Sequence, residues 1–208
     1  MHKIFENLPE DKRKRIVDVC VEEFSRKGYD KASTNTIVKE AGISKGILFH
    51  YFGSKKNLYL YIVDYVMDYM TKKFYIADSN PPADIFERIM DRGLVKLKMA
   101  YDDPSIYNLL FEAFINTPED LKGDIQERYK KIKSENLSVF LNNIDTSKFR
   151  GEIDKNKAIE LIMLLMEALT SKYIDVYKNK PADAALTNMD KMIAEYMEYI
   201  DIMKKGIY

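Results

Sequence analysis

The stretch Ser33–Phe52, S-T-N-T-I-V-K-E-A-G-I-S-K-G-I-L-F-H-Y-F, decides the fold. Ser33 or Thr34 is suited to cap a short helix, because a side-chain oxygen there accepts one of the backbone N–H groups a helix start leaves unpaired. Ile37, Val38 and Ala41 then recur at helical spacing. Gly42 supplies the left-handed turn that a side chain resists. Ser44 caps a second short helix, with Ile47, Leu48 and Phe52 directed to a core. Two short helices joined by a tight glycine turn form a helix-turn-helix, which lays its second helix in the major groove of DNA.

Upstream, Pro9 suits the first position of a helix, since its missing N–H has no partner there anyway. Ile16, Val17, Cys20, Val21 and Phe24 form the core stripe, and Gly28 ends the helix, with Tyr29 packing back. Downstream, Gly53-Ser54 breaks and recaps the chain. A fourth helix is predicted to about Tyr75, with Leu58, Ile62, Tyr65, Val66 and Tyr69 on one side. Further helices are predicted over 82–101, 105–116, 118–142, 154–178 and 181–204, broken at Asp102-Asp103-Pro104 and in the polar stretch 143–153. No alternating run of β-branched residues stands out. The expected fold is all-α, with about nine helices: a DNA-binding domain over 1–53 and a helical effector-binding and dimerisation domain over 54–208.

Bulk composition agrees. The 208 residues hold 8 Gly and 6 Pro, few enough to favour helix over a turn-rich sheet fold. The formal net charge is zero, but residues 1–60 carry an excess of Lys and Arg that 61–208 offset. Cys20 is the single cysteine, so no internal disulfide forms, and on an apolar helix face it reads as a small hydrophobe. No apolar run reaches the roughly 20 residues of a membrane span, and the N-terminal stretch lacks a secretory apolar core. A cytoplasmic protein is expected. No nucleophile elbow, zinc-binding HExxH, phosphate loop or Cys/His constellation is present, and His2 and His50 are the only histidines, so neither an enzyme nor a metal or cofactor site is expected.

The segments F-S-R-K-G-Y-D (24–30), T-I-V-K-E-A-G-I-S-K-G (36–46) and L-F-H-Y-F-G-S-K-K-N-L (48–58) closely resemble the N-terminal domain of the TetR family of transcriptional regulators. The resemblance covers about residues 10–60; the rest matches in helical layout. It implies DNA contacts from Ser33, Thr34 and Asn35, from Ser44, Lys45, Gly46 and Ile47, from Phe49, His50 and Tyr51, and from Lys55. Three helix starts, at Ser33/Thr34, Ser44 and Ser54, offer backbone N–H groups to phosphate. Lys45 reaches a base edge or a phosphate. Ile47 either touches a thymine methyl or joins the core. Phe49 stands where the family usually has Tyr and has no hydroxyl for a phosphate.

Such a monomer covers one half-site, so a homodimer on a palindromic operator is expected. Ile159, Ile162, Met163, Met189, Ile193, Tyr196 and Ile200 are the expected interface, with Leu161, Leu164, Leu165 and Ala168 as a second apolar face. The resemblance also implies an effector pocket in the middle helices. Tyr61, Tyr65, Tyr69, Met99, Tyr107, Phe111, Phe114 and Met166 are its candidates, and they favour a small, mostly apolar effector. The expected function is a repressor that such an effector releases from DNA. The alternative is a DNA-binding regulator with no small-molecule effector, controlled by abundance or a protein partner.

Overall fold

The computed structural model describes residues 3–208. Among them the helices are α1 (Lys3–Glu6), α2 (Glu10–Lys31), α3 (Thr34–Ala41), α4 (Lys45–Phe52), α5 (Lys55–Ala77), α6 (Ile85–Asp102), α7 (Pro104–Phe114), α8 (Lys122–Leu141), α9 (Lys155–Tyr177), α10 (Ala182–Thr187) and α11 (Met189–Ile207). A 3₁₀ turn at Glu119–Leu121 leads into α8. The only β pairing among the described residues is an isolated bridge between Asp84 and Asp145. The fold is all-α, as expected.

The count is eleven rather than nine for two local reasons. The N-terminal turn α1 is short, but it buries Phe5 completely. The last predicted helix is split at Asn188, whose side-chain amide donates to Ala184 O at 2.8 Å. Thr187 Oγ1 donates to Asp183 O at 2.8 Å. Short polar side chains bonded to the preceding turn compete with helix continuation.

The chain forms two compact units, one of Met1–Tyr75 with Met99–Lys130, the other of Ile76–Lys98 with Lys131–Tyr208. In the first, the core is built from Ile16, Val17, Cys20 and Phe24 of α2, Ile37 and Ala41 of α3, Leu48 and Phe52 of α4, Leu58, Ile62 and Val66 of α5, and Leu109 and Ala113 of α7. Burial pushes the Cys20 thiol up to about 12, which leaves it unreactive. Tyr65 and Tyr69 depart from the α5 stripe predicted for them and are 40% and 41% exposed. The buried side of α5 passes instead through Tyr59, Ile62, Val63 and Val66.

In the second unit the core comprises Ile85, Phe86 and Ile89 of α6, Phe149 of the loop before α9, Ala158, Ile162 and Met166 of α9, and Ile200, Met203 and Ile207 of α11. Its buried polar groups are paired. Asp84 Oδ1 accepts from the N–H groups of Phe86 (3.0 Å) and Glu87 (3.2 Å), capping α6. Asp84 Oδ2 accepts from Lys148 Nζ at 2.8 Å and Tyr208 Oη at 2.6 Å. Arg88 donates to the carbonyls of Phe140 (2.8 Å) and Asn142 (2.6 Å), groups left open by the end of α8. No described helix is long and apolar enough to cross a membrane.

Candidate nucleic-acid interface

The turn between α3 and α4 is fixed from both sides. Gly42 has φ 69° and ψ 35°, and its N–H bonds back to Lys39 O at 3.3 Å. Ile43 N donates to Val38 O at 3.0 Å, closing the helix end. Each following helix start is capped by the serine the sequence offers. Ser33 Oγ accepts from Thr36 N (3.3 Å), Ser44 Oγ from Ile47 N (3.2 Å) and Ser54 Oγ from Asn57 N (3.1 Å). Ser33 N itself donates to Glu23 Oε1 at 2.8 Å, so a buried carboxylate of α2 sets where α3 begins.

α4 presents two contrasting faces. Leu48 and Phe52 are 1% and 2% exposed and anchor it to the core. Ser44, Lys45, Gly46, Ile47 and His50 are exposed. Ile47 is 39% exposed, so of its two readings the core one does not hold, and it lies on the outward face. Phe49 is half-buried. Tyr51 is half-buried too, with its ring 5.6 Å from that of Phe5.

Phe5, which is not among the residues expected from the sequence, also supports this helix. Its ring stands 4.8 Å from Phe52 and 5.3 Å from Tyr61, so α1 braces the far end of α4. The signal was the apolar pair Phe5 and Leu8 at i, i+3 ahead of Pro9. On α3, Thr34 is half-buried and Asn35 exposed. Lys55 is committed within the fold, donating to Asp30 O at 3.0 Å with its ammonium 5.0 Å from the centre of the Tyr29 ring. The structure therefore brings Ser44–Ile47 and His50 together on the exposed side of α4 and holds Lys55 by its own contacts.

The expected effector residues do not converge. Tyr61 packs on Phe5 and Phe52 and donates to Glu6 Oε1 at 2.5 Å. Tyr65 and Tyr69 are exposed. Met99 and Phe111 are buried in the first unit; Tyr107 lies 6.1 Å from Phe111, and Phe114 packs on Tyr129 at 6.0 Å. Met166 belongs to the core of the other unit. None of the eight lines the cavity of about 190 Å3 in the first unit or the apolar groove of about 390 Å3 beside Phe86 and Met90 in the second.

The expected dimer residues also separate. Ile162 and Ile200 are 0% and 5% exposed inside the second unit's own core, so a partner cannot reach them. Ile159 and Tyr196 pack against that core, and Met163, Met189 and Ile193 are half-buried. The exposed large apolar residues of α9 and α11 are instead Leu161 (57%), Leu164 (58%), Val176 (43%), Met197 (42%) and Ile202 (67%). α9 is apolar on two sides, and the sequence does not say which side its own α11 occupies.

A capped recognition helix with a buried inner face and a small, basic, apolar outer face defines a helix-turn-helix DNA-binding regulator. Residues 16–62 match the family of bacterial regulatory proteins called the tetR family. The match covers the helix-turn-helix and its neighbours, and over those residues the chain is similar to that family. It is 26% identical over 156 residues, 74% of this chain and 80% of the relative, to the biofilm operon icaADBC negative transcriptional regulator IcaR of Staphylococcus aureus strain Newman. It is 24% identical over 157 residues to IcaR of Staphylococcus epidermidis, covering 74% of this chain and 79% of that one. The fold is shared with a TetR-like regulator from Rhodococcus sp. RHA1 (TM-score 0.60, 16% identity, 92% of this chain and 99% of that one). It is shared also with FadR of Bacillus subtilis in complex with stearoyl-CoA (TM-score 0.60, 14% identity, 94% and 99% covered).

Proposed function

We propose that this regulator is a homodimeric repressor that reads a palindromic operator through α4 and leaves it when a small, mostly apolar effector binds. The observation that carries the DNA reading is the outward face of α4, where Lys45, Gly46 and Ile47 stand exposed on a helix pinned by Leu48 and Phe52. Gly46 lets the backbone approach a base edge, Lys45 reaches a guanine or a phosphate, and Ile47 suits a thymine methyl. Residues 1–53 are the DNA-reading part in this account, and the remainder senses and dimerises. A protein that acts on the chromosome works in the cytoplasm.

The role of IcaR as a negative transcriptional regulator supports repression. The stearoyl-CoA bound to FadR supports an apolar effector. That effector would have to open a space among Met99, Tyr107, Phe111 and Phe114, which belong to one unit but line neither cavity. For the dimer, Leu161 and Leu164 replace Ile162 and Ile200 as contacts. An effector shifts such an equilibrium only by its differential affinity for the two states.

The test is DNA binding by Lys45→Ala and Tyr51→Ala variants that keep their helical circular dichroism. Loss of about ten-fold or more in operator affinity is expected from each. Unchanged affinity in both overturns the reading. Stearoyl-CoA titrated into the operator complex then separates the effector-controlled repressor, which dissociates, from a regulator indifferent to acyl ligands.

A further inference from the structure

Side chains of α2 hold both ends of α3. At the start, Glu23 Oε1 accepts from Ser33 N at 2.8 Å, one residue ahead of Thr34, where α3 begins. At the end, the Arg15 guanidinium donates to Glu40 O at 3.2 Å, in the last turn. Glu23 and Arg15 stand about two turns, or about 12 Å, apart along α2, and the 8 residues of α3 span about the same length. The two grips therefore match α3 end to end, with α3 running back along α2. Each also suits the helix dipole, a carboxylate at the N-terminus and a guanidinium at the C-terminus.

Glu23 occupies a position where the core would take an apolar residue. It follows Cys20 by one turn on the side of α2 that buries Ile16, Cys20 and Phe24, and it is 3% exposed. A leucine there would fill the space with no charge to desolvate. The second carboxylate oxygen meets the solvent-exposed guanidinium of Arg26 at 3.3 Å, so the inward partner of Glu23 is the Ser33 N–H. A carboxylate accepting from a backbone N–H makes a stronger bond than a neutral acceptor. It fixes Ser33 where its own hydroxyl oxygen can accept from Thr36 N and cap α3.

The consequence lies in α4. α3 passes into α4 through Gly42 and Ile43, and the bond from Ile43 N to Val38 O at 3.0 Å closes that turn. A shift of α3 is thereby carried to the recognition helix. We infer, resting on the operator reading proposed for α4, that Glu23 and Arg15 are positioning residues for DNA recognition. Neither needs to touch DNA: Glu23 sets where α3 starts, Arg15 holds its far end, and together they set the angle at which α4 meets the groove.

The test pairs hydrogen–deuterium exchange of the DNA-free chain with anisotropy titration of DNA from its own upstream region. The wild type is compared with Glu23→Gln, Glu23→Leu and Arg15→Met. Exchange in peptides spanning α3 should rise about ten-fold in Glu23→Leu and less in the other two, while α7 exchanges as in the wild type. Affinity for the DNA should fall about ten-fold or more in Glu23→Leu and several-fold in Glu23→Gln and Arg15→Met. An equal rise in α3 and α7 would make these residues general stabilisers and overturn the inference. Unchanged exchange in α3 overturns it as well, as does unchanged DNA affinity beside a loosened α3. Wild-type protein that ignores this DNA counts against the operator reading of α4, and exchange in α3 then decides the grip by itself. If Glu23→Leu fails to fold, Glu23→Gln and Arg15→Met decide it.

Discussion

Arg15 lies over Gly42 closely enough that a side chain on the turn of the helix-turn-helix would push the guanidinium aside by a few tenths of an ångström. The Arg15 guanidinium donates to Glu40 O at 3.2 Å, and one of its nitrogens lies 3.3 Å from where a Cβ on Gly42 would stand. The glycine is favoured by its positive φ of 69°, and the Arg15 contact adds a small crowding. Gly42→Ala should lower stability by about 1–2 kcal/mol, the usual cost of a left-handed residue bearing a Cβ. Thermal unfolding checks this, and Arg15→Ala should relieve part of the loss through the space it opens.

Phe5 ties α1 to the far end of α4 and is fully buried between Phe52, Tyr51 and Tyr61. Phe5→Ala should cost roughly 3 kcal/mol or more by transfer and cavity effects. Denaturant titration measures it. A loss under 1 kcal/mol would mean that the turn is peripheral to the core.

Asp84 carries a pH signature. Burial alone would raise its pKa, but hydrogen bonds from Lys148, Tyr208 and the Glu87 N–H outweigh it and hold the carboxyl at about 2. A depressed folded-state pKa contributes stability that is full above the unfolded value near 4 and is lost as pH falls toward 2. The contribution is on the order of 2 kcal/mol. Asp84→Asn should be less stable at neutral pH, and its melting temperature should change less than that of the wild type between pH 5 and pH 2. A parallel decline in both proteins contradicts the assignment.

The two apolar faces of α9 make opposite predictions. Leu161 and Leu164 are more than half exposed, whereas Ile162 is fully buried in the unit's own core. Leu161→Asp with Leu164→Asp should yield a folded monomer by sedimentation. Ile162→Asp should unfold the chain, since it buries a charge without a partner. A dimer that survives the double substitution moves the interface off this face.

Much of this was legible in the sequence because the signals were local. Ser33, Gly42, Ser44 and Gly53 each announce a cap or turn through their own chemistry. The stripe Ile16, Val17, Cys20 and Phe24 follows the helical period, and all four are buried. The partner of an apolar face is not a local property. Period alone cannot tell whether Ile162 meets α11 of the same chain or a second copy, nor that Lys55 is claimed by Tyr29 and Asp30. Nor does a run of tyrosines at i, i+4 distinguish a pocket from a wet helix face, because the phenol tolerates either. Tyr61 and Tyr65 went opposite ways for that reason.

In the proposed function, α4 reads a specific operator as part of a dimer. Fluorescence anisotropy with DNA from the chain's own upstream region, over a salt series and against scrambled DNA, tests it most directly. Tight binding to the upstream DNA alone is expected, with two protomers per site and a steep negative dependence of affinity on salt. Equal, weak binding to both DNAs by protein shown to carry no co-purified ligand would contradict it.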